Sequence, residues 1–183
     1  MLKKKIKNYY LELGSQIELL DKKKIYDVCN FLKKKIKQKK KIFVCGNGGS
    51  ASLSDHFVTD FNQYLKRKSK RKYLPRAISL SNSMSVVTAL SNDVGYKNIF
   101  IEQIENYYDT GDCIVLFSGS GSSENIIEIC KYAQKKKIDV ISIVGFNSIK
   151  IKKYAKFHIS VNSKKYGIIE DIFHSIMHVM LEI

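Results

Sequence analysis

Two acid–histidine sets in this chain have the residue types and spacing for proton transfer or metal binding. His56 and Asp60 stand four apart, and Glu170, His174 and His178 repeat that step. A four-residue step puts side chains on one face of a helix. Imidazole with carboxylate serves as a general acid–base pair, or as nitrogen and oxygen ligands for a divalent metal such as zinc. Such pairs also occur as plain surface features. With only four histidines in 183 residues, two sets make coincidence the weaker explanation. Helical drift puts Glu170 and His178 roughly 80° apart, so both can converge on one neighbouring helix. On spacing alone, His174 remains a rival to His178.

Two serine–glycine turns carry a second chemistry. Asn47, Gly48 and Ser50 follow the apolar run 42–45, and Ser118, Ser120 and Ser123 follow the apolar run 113–117. Each turn leads into a segment with helical spacing. A glycine turn between a strand and a helix lets backbone N–H groups converge, and the helix start adds about half a positive charge. Serine donates hydrogen bonds without adding charge. Neither turn has the lysine of a nucleotide-binding loop, so the pair predicts a site for a compact phosphate rather than a nucleoside triphosphate. The competing reading is two ordinary capped helices.

The elements that must position these groups are legible from periodicity. Apolar spacing over residues 5–38 predicts two amphipathic helices, with Asp21 capping the second. Strands are expected at 42–45, 74–80, 113–117, 140–144 and 157–161. Helices are expected at 51–64, 85–90, 99–107, 124–136, 149–154 and 168–183. Residues 66–72 read as a basic loop, and 91–96 and 145–147 read as turns. Apolar strands alternating with amphipathic helices predict an α/β fold with a mainly parallel five-stranded sheet, covered on both faces, plus an extra N-terminal helical segment. Ligands in such sheets bind beyond the carboxyl ends of the strands.

Composition bounds the rest. Apolar residues make up 44% of the chain, enough for one domain with a sizeable core. No apolar run approaches the roughly 20 residues of a membrane span. The basic start is not followed by an apolar signal segment, which predicts a cytoplasmic protein. Cys29, Cys45, Cys113 and Cys130 are scattered within apolar segments and read as buried small hydrophobes. The net charge of +15 comes mostly from short lysine runs, which read as solvated helix faces and loops. Nucleic-acid binding is disfavoured, because no aromatic interleaving or reader motif accompanies the charge.

Six stretches, in order, resemble the sugar isomerase (SIS) domain family, and within it the bacterial phosphoheptose isomerases. They are Cys-Gly-Asn-Gly-Gly-Ser-Ala (45–51), Asp-His-Phe (55–57), Leu-Pro-Arg-Ala-Ile-Ser-Leu (74–80), Ser-Asn-Asp-Val-Gly-Tyr (91–96), Ser-Gly-Ser-Gly-Ser-Ser-Glu-Asn (118–125) and the C-terminal helix. The resemblance implies a single SIS domain over 1–183, a three-layer α/β/α sandwich. It implies a homotetramer with shared active sites; helices 1–38, which begin before any strand and so make no crossover, read as an oligomer contact. It further implies isomerisation of sedoheptulose 7-phosphate to D-glycero-D-manno-heptose 7-phosphate for surface polysaccharide, lipopolysaccharide or capsule.

The same resemblance implies residue roles. Ser118, Ser120 and Ser123 would bind the phosphate, and Asn47, Gly48, Ser50 and Asp93 would line the sugar pocket. His56, Asp60, Glu170 and His178 would hold zinc, with Asp60, Glu170 and His178 also catalytic. This chain has Asp60 where the family has glutamate and Glu170 where it has glutamine. Gly167 and Tyr64 replace a family aspartate and arginine. Aspartate can act as the general base, but it is one methylene shorter, and about 1 Å of misplacement can cost on the order of a hundredfold in rate. The alternative is a non-catalytic SIS protein that binds a sugar phosphate or a protein partner such as a replication initiator. The retained His56, His178 and acidic partners favour the enzyme.

Overall fold

Five apolar segments form one wholly parallel sheet in the computed structural model, which describes residues 1–145 and 149–182. The strands are β1 (Lys41–Cys45), β2 (Arg76–Ser79), β3 (Cys113–Ser118), β4 (Asp139–Val144) and β5 (Phe157–Ser160), in the spatial order β2-β1-β3-β4-β5. The chain steps from β1 outward to β2 and then crosses back to β3. That reversal makes the carboxyl ends of β1 and β3 the switch point where doubly wound sheets bind ligands.

Alternate strand residues feed two cores. Ile42 and Val44 face α2 (Lys22–Lys37), α3 (Gly49–Thr59) and α9 (Tyr166–Val179), packing with Leu32, Phe57 and Phe173. Phe43 and Cys45 face α6 (Ile99–Glu105) and α7 (Glu124–Lys136), packing with Phe100, Ile104 and Ile129. The expected three-layer α/β/α architecture is the observed one. Asp21 accepts a hydrogen bond from the Lys24 N–H at 3.0 Å and caps α2 as expected. Burial pushes the Cys113 and Cys130 thiols up to about 12, so both are inert packing groups at neutral pH.

Several boundaries differ from the sequence expectation. The helix after β1 does not stop at 64. It passes through a π turn, Asp60–Tyr64, into α4 (Leu65–Lys68), so the first three of the seven residues in the expected basic loop 66–72 are helical. Buried Leu65 anchors that turn, and lysine and arginine are good helix formers. Helix α5 (Met84–Asp93) carries the expected turn residues Ser91, Asn92 and Asp93, and the break falls at Gly95, whose φ is +86°. Strand β2 is shorter than 74–80, because Pro75 has no N–H for the ladder and Leu74 is exposed. Helix α8 is Ile149–Lys152, and α9 begins at Tyr166 and ends in a short 3-10 turn, Met180–Glu182. In the expected turn 145–147, Phe146 and Asn147 lie outside the described residues, as does Ile183.

Helix α1 (Leu2–Glu18) buries no residue fully. It lies along α9, where the Tyr9 hydroxyl donates to Asp171 Oδ2 at 2.6 Å and Lys165 pairs with Glu12. The Asp171 carboxylate, which holds the Tyr9 proton, pushes the phenol up to about 12. Leu2, Ile6, Tyr10 and Leu11 stay exposed on α1.

Two lysines depart from the solvated-face reading. Lys35 and Lys41 are buried at the amino ends of the strands. Lys41 pairs with Asp109 and, at 3.3 Å, with Asp112. Asp112 Oδ1 also accepts the Lys41 N–H at 2.8 Å, and its Oδ2 accepts the Asp109 N–H at 3.0 Å. Burial alone would lower the Lys41 ammonium, but Asp109 and Asp112 outweigh it and hold it above the usual lysine value. Lys35 donates to the Gly111 carbonyl at 2.7 Å and to Asp139 at 3.0 Å, and Lys156 completes the clasp at 2.9 Å.

Candidate active site

The first histidine–acid set sits where α3 turns into the π segment. Gly48, with φ +55°, makes the tight exit from β1 that starts α3. His56 lies on the last turn of α3, and Asp60 opens the π turn, with the Leu65 N–H donating to the Asp60 carbonyl. A π turn adds one residue to the helical repeat and re-aims the side chains beside it. Here Phe57 and Phe61 stack in the core at 4.7 Å between centroids, while Asp60 turns to the histidines.

His56 Nε2 lies 3.1 Å from Asp60 Oδ2, and His178 Nε2 on α9 lies 3.9 Å from the same oxygen. The His56 and His178 rings meet edge-on at 5.4 Å. One donor atom from each of His56, Asp60 and His178 lies within 4.8 Å of the other two. His174 Nδ1 lies 3.0 Å from the Glu170 carbonyl, and its ring lies 5.8 Å from that of His56. Among the described residues, the group whose donor atoms are close enough to share an ion holds His178 and not His174. Two imidazoles and one carboxylate fit zinc, and three protein ligands leave a position open, as in catalytic zinc sites.

Glu170, the fourth expected ligand, stands outside that group. Its carboxylate lies over Gly49 at the amino end of α3, and a Cβ on Gly49 would sit 2.6 Å from Oε1. The missing side chain at Gly49 makes room for the acid, and the helix start favours its charge.

The serine turns cluster at the carboxyl edge of the sheet. Ser50 is buried, and its carbonyl accepts from Ser54 Oγ at 2.8 Å. Ser118 Oγ accepts the Gly121 N–H at 3.0 Å, and Ser120 Oγ accepts the Ser122 N–H at 3.2 Å. Ser123 stands at the N-cap of α7 without a side-chain cap bond. A cavity of about 430 Å³ opens here, lined by Gly119, Ser120, Ser122, Lys150, Lys164 and Tyr166. The Tyr166 ring covers Gly119, where a Cβ would come within 2.7 Å of it. Asp93 ends α5 in an exposed position, its Oδ1 accepting from Asn92 at 2.9 Å.

Asn47 lies at the switch point in a reciprocal amide pair. Its Nδ2 donates to Asn125 Oδ1 at 2.9 Å, and Asn125 Nδ2 donates back to Asn47 Oδ1 at 2.8 Å. The Tyr96 hydroxyl, 2.9 Å away, donates to the same Asn47 oxygen.

A family model described as the SIS domain matches residues 7–145. The chain belongs to the SIS domain family. It is 38% identical over 144 residues to a phosphoheptose isomerase of Clostridium acetobutylicum, covering 79% of this chain and 72% of that one. It is 35% identical over 178 residues to one from Buchnera aphidicola subsp. Acyrthosiphon pisum, covering 97% and 88%. The structure of phosphoheptose isomerase GmhA from Neisseria gonorrhoeae superposes with a TM-score of 0.88 at 24% identity, covering 100% and 97%. The last comparison shows the shared fold. The sequence relatives make this SIS chain an isomerase enzyme.

Four residues beside these turns carry no role in the sequence reading. Asn125 and Tyr96 only close two of the quoted stretches, and nothing in the sequence singles out Lys150 or Lys164. Only the placement of β3, α8 and the 161–165 connection beside one another brings these lysines to the serine turn.

Proposed function

We propose that this SIS isomerase converts sedoheptulose 7-phosphate to D-glycero-D-manno-heptose 7-phosphate. The observation that carries the reading is the Asp60 carboxylate held between His56 and His178, in an enzyme related to phosphoheptose isomerases. A ring-opened ketose phosphate would be anchored at Ser118, Ser120 and Ser123, with Lys150 and Lys164 supplying positive charge. Asn47, Gly48, Ser50 and Asp93 would line the sugar. Asp60 removes a proton from C1, beside the carbonyl, to give an enediol. His178 returns a proton to C2, and the hydroxyl proton passes from O1 to O2, which leaves the aldose. Glu170 is the second carboxylate able to act as the base.

Zinc fits His56, Asp60 and His178; Glu170, on the same helix as His178, stands outside that group with its carboxylate over Gly49. A bound ion would supply polarisation of the substrate's carbonyl or hydroxyl oxygens. The product would feed surface polysaccharide in the cytoplasm. Among the described residues, no helix is long and apolar enough to cross a membrane. A homotetramer joined through α1 and α2 would cover Leu2, Ile6, Tyr10 and Leu11, together with an apolar groove of about 450 Å³ bounded by Ile17, Leu20, Ile25 and Val179.

The test is incubation with a panel of seven-carbon and six-carbon ketose phosphates, with aldose formation followed by chromatography. Conversion of sedoheptulose 7-phosphate above all others is expected, and turnover of none of them overturns the reading. Metal analysis of the purified protein is expected to find zinc near one equivalent per chain. Less than about 0.1 equivalent in folded protein removes the zinc assignment.

A further inference from the structure

We propose that Asn125 and Tyr96 are positioning residues that fix the Asn47 side-chain amide so that it presents to substrate one N–H and no acceptor. The inference rests on the isomerase reading and deepens it.

The orientation of the three groups follows from one backbone donor. The Ile126 N–H, in the first turn of α7, donates to Asn125 Oδ1 at 3.0 Å. That contact fixes which end of the Asn125 amide is oxygen. Asn47 must then turn its Nδ2 toward Asn125 Oδ1 and receive the Asn125 Nδ2 on its own Oδ1. Asn125 is almost fully buried, so a reversed amide would leave two carbonyl oxygens or two NH₂ groups face to face without water. Tyr96 adds the second donor to Asn47 Oδ1.

A count of bonds gives the consequence. An amide oxygen has two lone pairs and an amide nitrogen two hydrogens. Both lone pairs of Asn47 Oδ1 are taken, by Asn125 and Tyr96. One hydrogen of Nδ2 is taken by Asn125. Among the described residues the remaining N–H has no partner, on a side chain that is only partly buried at the carboxyl end of β1. It can bond only to an acceptor. In an aldose–ketose isomerisation, negative charge grows on the oxygen of the substrate carbonyl as the enediol forms. A fixed donor with no freedom to reorient stabilises that charge without reorganisation. Three separate segments meet in this arrangement, the turn after β1, the loop after α5 and the start of α7. The lock therefore forms only when all three are in place.

The test is a mutant cycle on sedoheptulose 7-phosphate turnover, with binding of the same sugar phosphate measured by calorimetry. Asn47→Ala is expected to lower kcat about 10²–10³-fold, the loss seen when one oxyanion donor is removed. Asn125→Ala is expected to lower kcat roughly 10–100-fold with KM within about threefold, and Tyr96→Phe about 3–10-fold. In the Asn47→Ala background, both second changes are expected to have no further effect beyond about twofold, because they act through Asn47. A merely structural role would give losses that multiply. Tyr96→Phe leaves the Asn125–Ile126 contact intact, so it tests the lock even where Asn125→Ala folds poorly. Multiplying losses, or Tyr96→Phe and Asn125→Ala at the parental kcat, overturn this proposal while leaving the isomerase reading standing. A parental protein that neither turns over nor binds the sugar phosphate overturns both.

Discussion

Asp60→Asn is expected to lower kcat for sedoheptulose 7-phosphate by about 10²–10⁴-fold, the contribution of a positioned general base. Asparagine matches aspartate in size and keeps one oxygen at the position 3.1 Å from His56 Nε2, so the helix and its π turn are expected to persist. It cannot take a proton at neutral pH, and it is a weaker metal ligand. The two losses separate experimentally. Assay at saturating zinc restores a variant that fails only through metal affinity and leaves a variant without its base inactive. Glu170→Gln is the informative partner. If Glu170 rather than Asp60 is the base, the large loss moves to Glu170→Gln and Asp60→Asn recovers with zinc. Asp60→Asn within about threefold of the parent, without added metal, rules out both roles for Asp60. Circular dichroism of each variant guards against unfolding.

Asp112→Ala is expected to lower stability strongly although it lies away from the site. It removes the buried partner of Lys41 and the acceptor of two backbone N–H groups at once. Breaking a buried ion pair by deleting one member costs about 3–5 kcal/mol, because the other charge stays desolvated. For a chain of this length that corresponds to a fall in melting temperature of roughly 6–20 °C. Asp109 cannot compensate fully, because its carboxylate is largely exposed. Asp112→Asn keeps one acceptor and is expected to lose less than the alanine variant. Both changes lie at the amino ends of the strands, opposite the serine turns, so kcat well below the melting temperature is expected to stay within about twofold of the parent. A thermal melt of Asp112→Ala within 2 °C of the parent, on a precision of about 1 °C, would falsify the clasp as a source of stability.

Much of the fold was legible because its strands are short continuous apolar runs. Residues 42–45, 113–117 and 140–144 can hardly be anything but central strands of a parallel sheet, and each is one. The segment 60–68 was not legible. Nothing in Asp60-Phe61-Asn62-Gln63-Tyr64 announces a π turn, and the basic composition of 66–72 hides a helical end that depends on burying Leu65. Asn92 and Asp93 have turn chemistry, yet Gly95 sets the break, because it alone there adopts a positive φ.

The site divides in the same way. His56 and Asp60 could be paired from local spacing, since one helix fixes both. Spacing reached His178 only as one of two rivals, because choosing between it and His174 requires the rotation of α9 against α3; the family resemblance alone singled it out. Glu170 shows the limit of spacing arguments. The roughly 80° of drift from His178 is enough to carry its carboxylate to Gly49. The Asn47–Asn125–Tyr96 lock joins residues 78 and 49 positions apart, and no local pattern marks it.

Helix α9 also sets a timetable for biosynthesis. It supplies His178, buries Ile172, Phe173, Ile176 and Met177, and gives α1 the surface on which it lies. It is also made after every strand. At roughly 5–20 residues per second, the ribosome needs about 6–24 s to pass from His56 to His178. Once β5 has been made, the nascent sheet has all its strands and both serine turns, but an open trough where α9 will lie, with Phe57 and Phe117 at its floor. Until α9 is made, that apolar floor lacks Ile172, Phe173, Ile176 and Met177, which cover it in the folded chain. The core on one face of the sheet and the histidine cluster are therefore completed by the same helix, whereas the core on the other face holds no α9 residue.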